Sequence, residues 1–265
     1  MGRSMDHVAS FVTGMSTSAD IFDNEKYKFS DNLLNYYEYM KKNDVFASYA
    51  VVPPQAARNP EFYQKRNLPI PTLSVVSEND KGVVISGMKM LATSAIFANE
   101  IWIGNLIPLA PDQVKQSITC AIPCNSNGLS LWMRQPLSNH YDNQFDAPLS
   151  WNQDETDVLV MCDKVLVPWE RIFVKDDAIQ AREIYFKTPA HCYGNHQSNV
   201  RYWSKMELIV GLCYKVAKAT GADEVPAVRE TLGKMSALES TLSGMIYGQI
   251  AVSYTHLTLP TKVEG

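Results

Sequence analysis

Short β-strand patterns fill the middle of this chain, and helical patterns lie on both sides of them. The strand patterns are apolar runs rich in Val and Ile, separated by clusters of Gly, Pro and Asn. Such spacing is typical of an antiparallel β-barrel or sandwich. The predicted strands are Leu73 to Ser77, Val83 to Ile85, Met88 to Leu91, Ile101 to Ile103, Ile118 to Ile122, Leu129 to Met133, Val158 to Met161 and Val165 to Val167.

The stretch from Gly82 to Leu106 carries the most detailed signal in this β region. Its pattern predicts two strands joined at Ser86-Gly87. Four small residues, Ala92-Thr93-Ser94-Ala95, then occupy a place where a packed core would hold larger side chains. They indicate either an edge at which a flat cofactor approaches the backbone, or a wide turn whose backbone is satisfied by Ser and Thr hydroxyls.

The flanking segments have helical spacing. Apolar residues recur every three or four positions from Met5 to Met15, and Ser30 is the predicted N-cap of a second helix that ends at Asn43-Asp44. Ser204 and Glu207 have the spacing of a capping box. Gly221 is predicted to close that helix, and Pro226 to begin another. Two such helices form half of a four-helix bundle.

Composition limits the function classes. The 265 residues contain 24 Lys and Arg against 28 Asp and Glu, a formal charge of −4, with no long basic run. This balance argues against a nucleic-acid or anionic membrane partner and favours a small-molecule ligand or a protein partner. An odd number of cysteines, five, and the absence of a signal-peptide pattern at the N-terminus predict free thiols and a cytoplasmic location. The spacing of these cysteines predicts no metal site.

These patterns predict an α+β chain in three parts followed by a tail. Residues 1–58 form the end of an N-terminal helical domain, with two prolines in VFASYAVVPPQAAR at 45 to 58 holding the crossing segment extended. Residues 59–187 form the central antiparallel β domain. Residues 188–252 begin an incomplete C-terminal helical bundle. The tail 253–265, SYTHLTLPTKVEG, breaks the helical pattern and is interpreted as a non-native addition to a fragment.

Five segments of the chain resemble the 4-hydroxyphenylacetate 3-hydroxylase family, within the acyl-CoA dehydrogenase-like fold. They occur in the family's order, and their style is most similar to the branch of pyoverdine-chromophore biosynthetic proteins and chlorophenol monooxygenases. The segments are GRSMDH at 2–7, YAVVPPQAAR at 49–58, GVVISGMKMLATSA at 82–95, DAPLSWNQDETDVLVMCDKVLVPWERI at 146–172 and NHQSNVR at 195–201.

The resemblance implies a two-component, flavin-dependent monooxygenase. Such an enzyme takes FADH2 from a separate flavin reductase, uses O2, and hydroxylates a phenolic substrate ortho to its hydroxyl; chlorophenol enzymes attack a halogen-bearing carbon instead. It also implies a homotetramer at full length. Which phenol is the substrate stays open among 4-hydroxyphenylacetate, tyrosine-like phenols and chlorophenols.

The resemblance also assigns candidate site residues. Arg3 matches a substrate-site arginine whose permanent charge favours the phenolate; alternatively it is a surface residue paired with Asp6. His7 stands where many members carry tyrosine, and Tyr49 where many carry histidine, so the two catalytic candidates look exchanged. His196 is the substrate-binding candidate or a structural histidine. The segments with Gln55, Arg58 and Thr93 match those that contact flavin in the family; alternatively, Arg58 serves as a helix cap or in an interdomain ion pair.

Three alternatives belong to other classes. An acyl-CoA dehydrogenase-like oxidoreductase acting on a CH–CH group shares the architecture, but its catalytic glutamate would come from later helices. A 4-hydroxybutyryl-CoA dehydratase-like enzyme needs three cysteines and a histidine for an iron–sulfur cluster, and the GRSMDH segment has no cysteine. The non-enzyme alternative is an inactive truncated fragment.

Overall fold

The computed structural model describes residues 6–68 and 70–258, with side chains to residue 253. This part of the chain falls into two compact units, one within residues 2–194 and the other within 195–265. The helices are α1 His7–Ser16, α2 Ser30–Asn43, α3 Pro60–Gln64, α4 Pro148–Gln153, α5 Gln180–Phe186, α6 Ala190–Ala219 and α7 Pro226–Thr258. The strands are β1 Ala47–Ala50, β2 Ser74–Asn79, β3 Gly82–Lys89, β4 Glu100–Ile103, β5 Thr119–Pro123, β6 Leu129–Met133, β7 Val158–Pro168 and β8 Ile172–Val174.

The eight strands form two four-stranded sheets in the first unit. One sheet has the order β1-β4-β5-β8 and the other β2-β3-β7-β6. The predicted central β-sandwich is therefore present. Its pairings are antiparallel with one exception, because β1 runs parallel to β4 and brings Tyr49 opposite Trp102. The sheet thus includes a strand from the segment that the sequence assigned to the N-terminal helical part.

The hairpin predicted at Ser86-Gly87 is wrong. β3 is one continuous strand, and it turns back on β2 at Asp80-Lys81 instead. Gly87 lies inside β3 at φ 113°, where a Cβ would stand 2.1 Å from the Thr72 carbonyl oxygen. The glycine therefore marks close backbone approach inside a strand, which is its other common role.

The two strands predicted at Val158 to Met161 and Val165 to Val167 are likewise one strand, β7. The pairing with β3 shifts register here, from Ile85 opposite Val165 to Gly87 opposite Cys162. Lys164 has a φ of 54° at this irregularity. The extra residue in β7 forms a β-bulge, and on both sides of it alternate side chains point into the core. In the sequence the bulge interrupts the alternation, which is why β7 was predicted as two strands.

Helices α1 and α2 pack against the first sheet through aromatic side chains. Val8, Phe11, Val12 and Met15 of α1 are buried, as their spacing predicted. Trp102 of β4 stacks on Phe173 of β8 with ring centroids 4.7 Å apart, and Phe11 packs against Trp102 in a T-shaped arrangement with centroids 5.5 Å apart. This cluster fixes α1 over β1 and β4, which positions the cavity described below.

The predicted N-cap of α2 needs correction. Ser30 is the first helical residue, and its backbone N–H donates to the Asp23 carboxylate at 3.0 Å. A side chain seven residues earlier in the chain satisfies the helix start, so the local pattern alone could not identify it. The predicted end is confirmed, because Asp44 adopts the left-handed conformation at φ 49°.

The second unit consists of the greater part of α6 and all of α7. The two helices are antiparallel, since Trp203 Nε1 donates to Glu239 Oε1 at 2.7 Å and His196 lies beside Gln249. Gly221 follows the end of α6 and Pro226 is the first residue of α7, as predicted. The capping box at Ser204 is wrong because α6 already begins at Ala190. The expected break at residue 253 is also wrong, since α7 continues to Thr258.

Candidate functional site

An aromatic cavity of about 130 Å³ lies in the first unit, where α1 crosses β1 and β4. We call it the aromatic cavity. Its described walls come from α1, β1, β4, the segment after β4, β5 and α5. The polar rings that line it are His7, Tyr49 and Tyr185, and its apolar walls include Phe11, Trp102 and Ile184. A small apolar space with a few converging polar groups suits one aromatic ring.

His7 and Tyr49 meet at this cavity, although 41 residues separate them in the sequence. Their ring centroids are 5.1 Å apart with planes inclined by 43°. Phe11 packs against both rings in edge-to-face geometry, with its centroid 5.8 Å from that of His7 and 6.4 Å from that of Tyr49. One imidazole and one phenol therefore share a single site, and both are side chains that transfer protons in enzymes.

Tyr185 adds a second phenol to the same wall. Burial raises the pKa of its hydroxyl, and the nearby Tyr49 acts in the same direction. The hydroxyl therefore stays protonated and is a hydrogen-bond donor at neutral pH. A Cβ on Gly194 would come within 3.2 Å of this hydroxyl, so the glycine leaves space for it. The sequence analysis did not single out Tyr185.

A second cavity, of about 450 Å³, adjoins the first and shares Val51 and Asn105 with it. We call it the lysine cavity because Lys89 of β3 lines it. Arg58 lies on its wall, at the end of a 3-10 helix that runs Gln55–Arg58. Gln55, at the start of this helix, is exposed. Two of the flavin candidates, Gln55 and Arg58, thus lie on the same short helix, and Arg58 lines a cavity.

Thr93, the third flavin candidate, lies in a turn. Its side chain is buried, and its hydroxyl donates to Asp157 Oδ1 at 2.7 Å. Its carbonyl accepts a hydrogen bond of 2.7 Å from Ser48, the residue before Tyr49. Ser94 follows at a φ of 60°. The small residues therefore form a tight turn that supports β1, and Thr93 does not line either cavity.

The remaining candidates lie elsewhere. Arg3 falls outside the described residues. His196 belongs to the second unit, where its Nδ1 lies 3.3 Å from Gln249 Oε1. Within the described residues, no three side chains of His, Cys, Asp or Glu lie together as a metal site, and no helix is long and apolar enough to cross a membrane.

Lys89, like Tyr185, is a residue that the sequence analysis missed. It follows Val83, Ile85 and Gly87 at a spacing of two, so strand alternation puts it on the buried face. A charged side chain at such a position was the available signal. Burial lowers the pKa of its ammonium group to about 8, with the nearby Cys120 acting in the opposite direction.

Comparison with known proteins decides the family. Family models described as "4-hydroxyphenylacetate 3-hydroxylase N terminal" and "4-hydroxyphenylacetate 3-hydroxylase C terminal" match residues 1–174 and 181–256. The chain belongs to the 4-hydroxyphenylacetate 3-hydroxylase family. Together the two models cover most of the chain, and they meet near the start of α5.

Among this family's members, the 4-hydroxyphenylacetate 3-monooxygenase oxygenase component of Thermus thermophilus is 32% identical over 237 residues, 89% of this chain and 47% of the relative. The pyoverdin chromophore biosynthetic protein PvcC of Pseudomonas aeruginosa is 27% identical over 251 residues, 92% of this chain and 48% of the relative. The chain spans about half the length of the curated relatives it matches.

Solved structures show the same family and fold. The HpaB oxygenase component of 4-hydroxyphenylacetate 3-monooxygenase complexed with FAD and 4-hydroxyphenylacetate matches with a TM-score of 0.83 and 30% identity, over 93% of this chain and 50% of that one. An archaeal 4-hydroxybutyryl-CoA dehydratase matches with a TM-score of 0.74 at 18% identity, and glutaryl-coenzyme A dehydrogenase with 0.57 at 12%. The expected acyl-CoA dehydrogenase-like fold is confirmed.

Proposed function

We propose that this chain is part of an FADH2-dependent monooxygenase that hydroxylates a phenol ortho to its hydroxyl group. The observation that carries the proposal is the contact of His7 with Tyr49 at an aromatic cavity, in a chain of the 4-hydroxyphenylacetate 3-hydroxylase family. The chain's relatives include oxygenase components named for this reaction. Their names support a separate reductase as the source of reduced flavin.

The three flavin candidates, Gln55, Arg58 and Thr93, fit the cofactor in part. Arg58 makes no ion pair with any residue that the structure describes, and a free guanidinium suits the phosphates of FAD. Gln55 offers an exposed amide from the same helix. The Thr93 hydroxyl donates to Asp157, so it can only accept a further hydrogen bond. When bound, reduced FAD supplies the electrons that activate O2.

The chain's own task is to hold the phenol and manage its proton. Phenols have a pKa of about 10, so the reactive phenolate needs a nearby acceptor or a positive charge. In the proposal His7 and Tyr49 accept and relay the proton of the phenol hydroxyl, and Arg3 stabilises the phenolate. Phe11 and Trp102 enclose the ring on its apolar sides and limit the entry of water.

His196 is proposed as a further substrate-binding residue, on the strength of the NHQSNVR segment alone. The proposed three-part division at residues 59 and 188, and the non-native origin of residues 253–265, likewise stay predictions.

The proposed location is the cytoplasm, since five free cysteines suit a reducing compartment. Large exposed apolar side chains on α6 and α7 suit burial between subunits, which supports the proposed homotetramer.

The test uses the protein that carries this chain at the length of its relatives. Oxygen consumption and catechol formation are followed with a flavin reductase, NADH, FAD and 4-hydroxyphenylacetate, with tyrosine-like phenols and chlorophenols in parallel. The expected result is a catechol, or dehalogenation of a chlorophenol, that depends on the reductase. Desaturation of an acyl-CoA, or product from oxidised FAD without a reductant, contradicts the proposal.

A further inference from the structure

Lys89 is a buried cation that has no carboxylate partner in the part of the chain that the structure describes. Its side chain is 2% exposed, and Nζ donates a 2.9 Å hydrogen bond to Asn105 Oδ1. None of the acidic residues that the structure describes forms an ion pair with it. Burying an unpaired ammonium group is unfavourable, so a lysine in this position calls for a physical reason.

Asn105 does not neutralise this charge. Its amide nitrogen donates to the carbonyl oxygens of Gln116 at 3.1 Å and Ile118 at 3.2 Å. Both N–H groups are therefore used, and the amide is locked with its oxygen towards Lys89. An ammonium group has three N–H donors, and Asn105 takes one of them.

The lysine cavity offers space for an anion at this charge. Its volume of about 450 Å³ falls in the range of small-molecule sites, roughly 300 to 1,000 Å³. Arg58 supplies a second positive charge on the wall, and the described lining residues include no Asp or Glu. The charges on the cavity wall are thus all of one sign.

We propose that the lysine cavity is an oxyanion-binding site, in which Lys89 and Arg58 bind the carboxylate or phosphate group of a small organic molecule. Two oxygens of such a group can take charge-assisted hydrogen bonds from the ammonium and the guanidinium. Apolar residues of the wall, among them Ile70, Pro108 and Leu109, contact the rest of the molecule. A ligand of this kind compensates the charge that Asn105 leaves unpaired.

Two sources can supply the oxyanion. The lysine cavity adjoins the aromatic cavity at Val51 and Asn105, so the group is either the acidic tail of a phenol or a phosphate of the flavin. This choice of source rests on the proposed function. The oxyanion site itself rests on the cavity and its charges alone.

The experiment measures how probes shift the urea unfolding midpoint of the 265-residue chain at neutral pH, followed by tryptophan fluorescence. The probes are acetate, inorganic phosphate and the pair 4-hydroxyphenylacetate and 4-ethylphenol, which differ by a carboxylate. Lys89→Met removes the charge and keeps the side-chain length. Lys115→Met makes the same change at an exposed position nearby and is the matched control.

The expected result is that 4-hydroxyphenylacetate binds roughly 10- to 100-fold more tightly than 4-ethylphenol, the range for a hydrogen bond to a charged group. Lys89→Met abolishes this ratio and Lys115→Met preserves it. Stabilisation by inorganic phosphate but not by the carboxylates, again lost in Lys89→Met, assigns the site to a phosphate-bearing ligand instead.

A second measurement covers failure of the variant to fold. Without ligand, Lys89→Met is expected to unfold at higher urea than the wild type, because an uncompensated buried charge has been removed. If it does not fold, Lys89→Gln, which keeps a donor towards Asn105 without the charge, takes its place in the probe series. Oxyanion probes that stabilise the wild type and the neutral variant equally, or that stabilise neither, overturn the proposal. Hydroxylase activity is not part of the readout, so failure here is distinct from failure of the proposed function.

Discussion

His7 and Tyr49 show how an exchange of residue types can conserve a site. The resemblance placed each where many family members carry the other, and the structure puts the two rings in contact, 5.1 Å apart. A proton relay needs one imidazole and one phenol within reach of the substrate; it does not need a fixed order along the chain. The apparent departure from the family pattern therefore keeps the same pair of groups at one cavity.

The exchange can be tested by reversing it. His7→Tyr and Tyr49→His each leave two groups of one kind, and each is expected to lower kcat/KM by about 100-fold or more, the range of one lost general acid–base. The double variant restores one group of each kind, and kcat/KM is expected to return to within about tenfold of the wild type. The measurement is steady-state catechol formation. A double variant as poor as the worse single variant would show that position matters more than residue type.

Arg3 carries the second residue-scale prediction. If its charge stabilises the phenolate, Arg3→Ala weakens substrate binding by roughly 1.5 to 3 kcal/mol, as for a hydrogen bond to a charged group. FAD affinity should stay unchanged, since phenolate binding is the only role proposed for Arg3. Equilibrium titrations of substrate and of FAD check this in the protein at the length of its relatives. Equal loss of both affinities would point to a role in folding.

Lys89 makes the stability of the unliganded chain depend on pH. Burial lowers the pKa of its ammonium group to about 8, whereas an unfolded lysine titrates near 10.4. Between these values the unfolded chain binds more protons, so stability rises with pH, by at most ~1.4 kcal/mol per unit. Below about pH 8 the group is charged in both states and its contribution is constant.

The pH dependence is isolated by subtraction. The charged or titratable groups that face Lys89 are Cys120 and, across the cavity, Arg58, and both are present in the wild type and in Lys89→Met. The free energy of unfolding of the wild type minus that of the variant should therefore rise from pH 8 to pH 10. A difference that stays flat or falls would mean that Lys89 is not desolvated in solution.

At the scale of single elements, α1 is held against the chain that leads into α6. Gly14 lies in the last turn of α1, and a Cβ there would stand 2.6 Å from the backbone nitrogen of Ala190. Backbone atoms cannot move away as a flexible side chain can. The packing of α1, which carries His7 and Phe11 to the aromatic cavity, therefore depends on the absence of a side chain at Gly14.

A matched pair of substitutions separates helix propensity from packing. Alanine is favoured over glycine inside a helix by about 1 kcal/mol. Gly211→Ala in α6, with no atom within 4 Å of the added Cβ, is expected to show that gain. Gly14→Ala is expected to destabilise the chain by roughly 1 to 3 kcal/mol, because overpacking outweighs propensity. Urea unfolding followed by circular dichroism measures both. A stabilising Gly14→Ala would mean that α1 does not lie against Pro189 and Ala190.

At the scale of the whole molecule, α6 and α7 expose large apolar side chains. Leu208, Ile209, Leu212 and Leu238 are between 40% and 63% exposed. Fully burying one such side chain stabilises a protein by about 1.5 to 3 kcal/mol. Several of them together amount to a typical domain stability of about 5 to 15 kcal/mol. These faces are suited to burial by further protein, and the relatives have about as many residues again as this chain covers.

The 265-residue chain by itself is therefore expected to bind flavin poorly and to self-associate. The chain spans about half the length of its curated relatives, so residues outside it are expected to supply part of the flavin site. Anaerobic titration with FADH2, together with size-exclusion chromatography, checks both expectations. A monomer that binds flavin at micromolar affinity would show that the 265 residues suffice.

The sequence by itself determined the class of fold, the family and most helix and strand positions. Strand alternation and helical spacing are local properties, and Val8, Phe11, Val12 and Met15 lie buried on α1 because their spacing admits one apolar face. The family segments were recognisable for the same reason, since each is a short run of adjacent residues. Errors occurred where a local signal has two meanings. Gly87 is an example, because a glycine between two strand patterns indicates either a turn or a close backbone contact inside one strand.

Only the tertiary structure decided which residues meet. Three contacts illustrate this: that of His7 with Tyr49, the parallel pairing of β1 with β4, and the capping of α2 by Asp23. Each joins residues that are apart in the sequence, and the sequence does not say that they are close in space. The same holds for the charge of Lys89. Strand alternation could place Lys89 on a buried face. Whether a described carboxylate pairs with it depends on all the residues that pack around it. Its interpretation as a binding group required the packed surroundings, because burial and pairing, more than residue type, set the free energy of a charge.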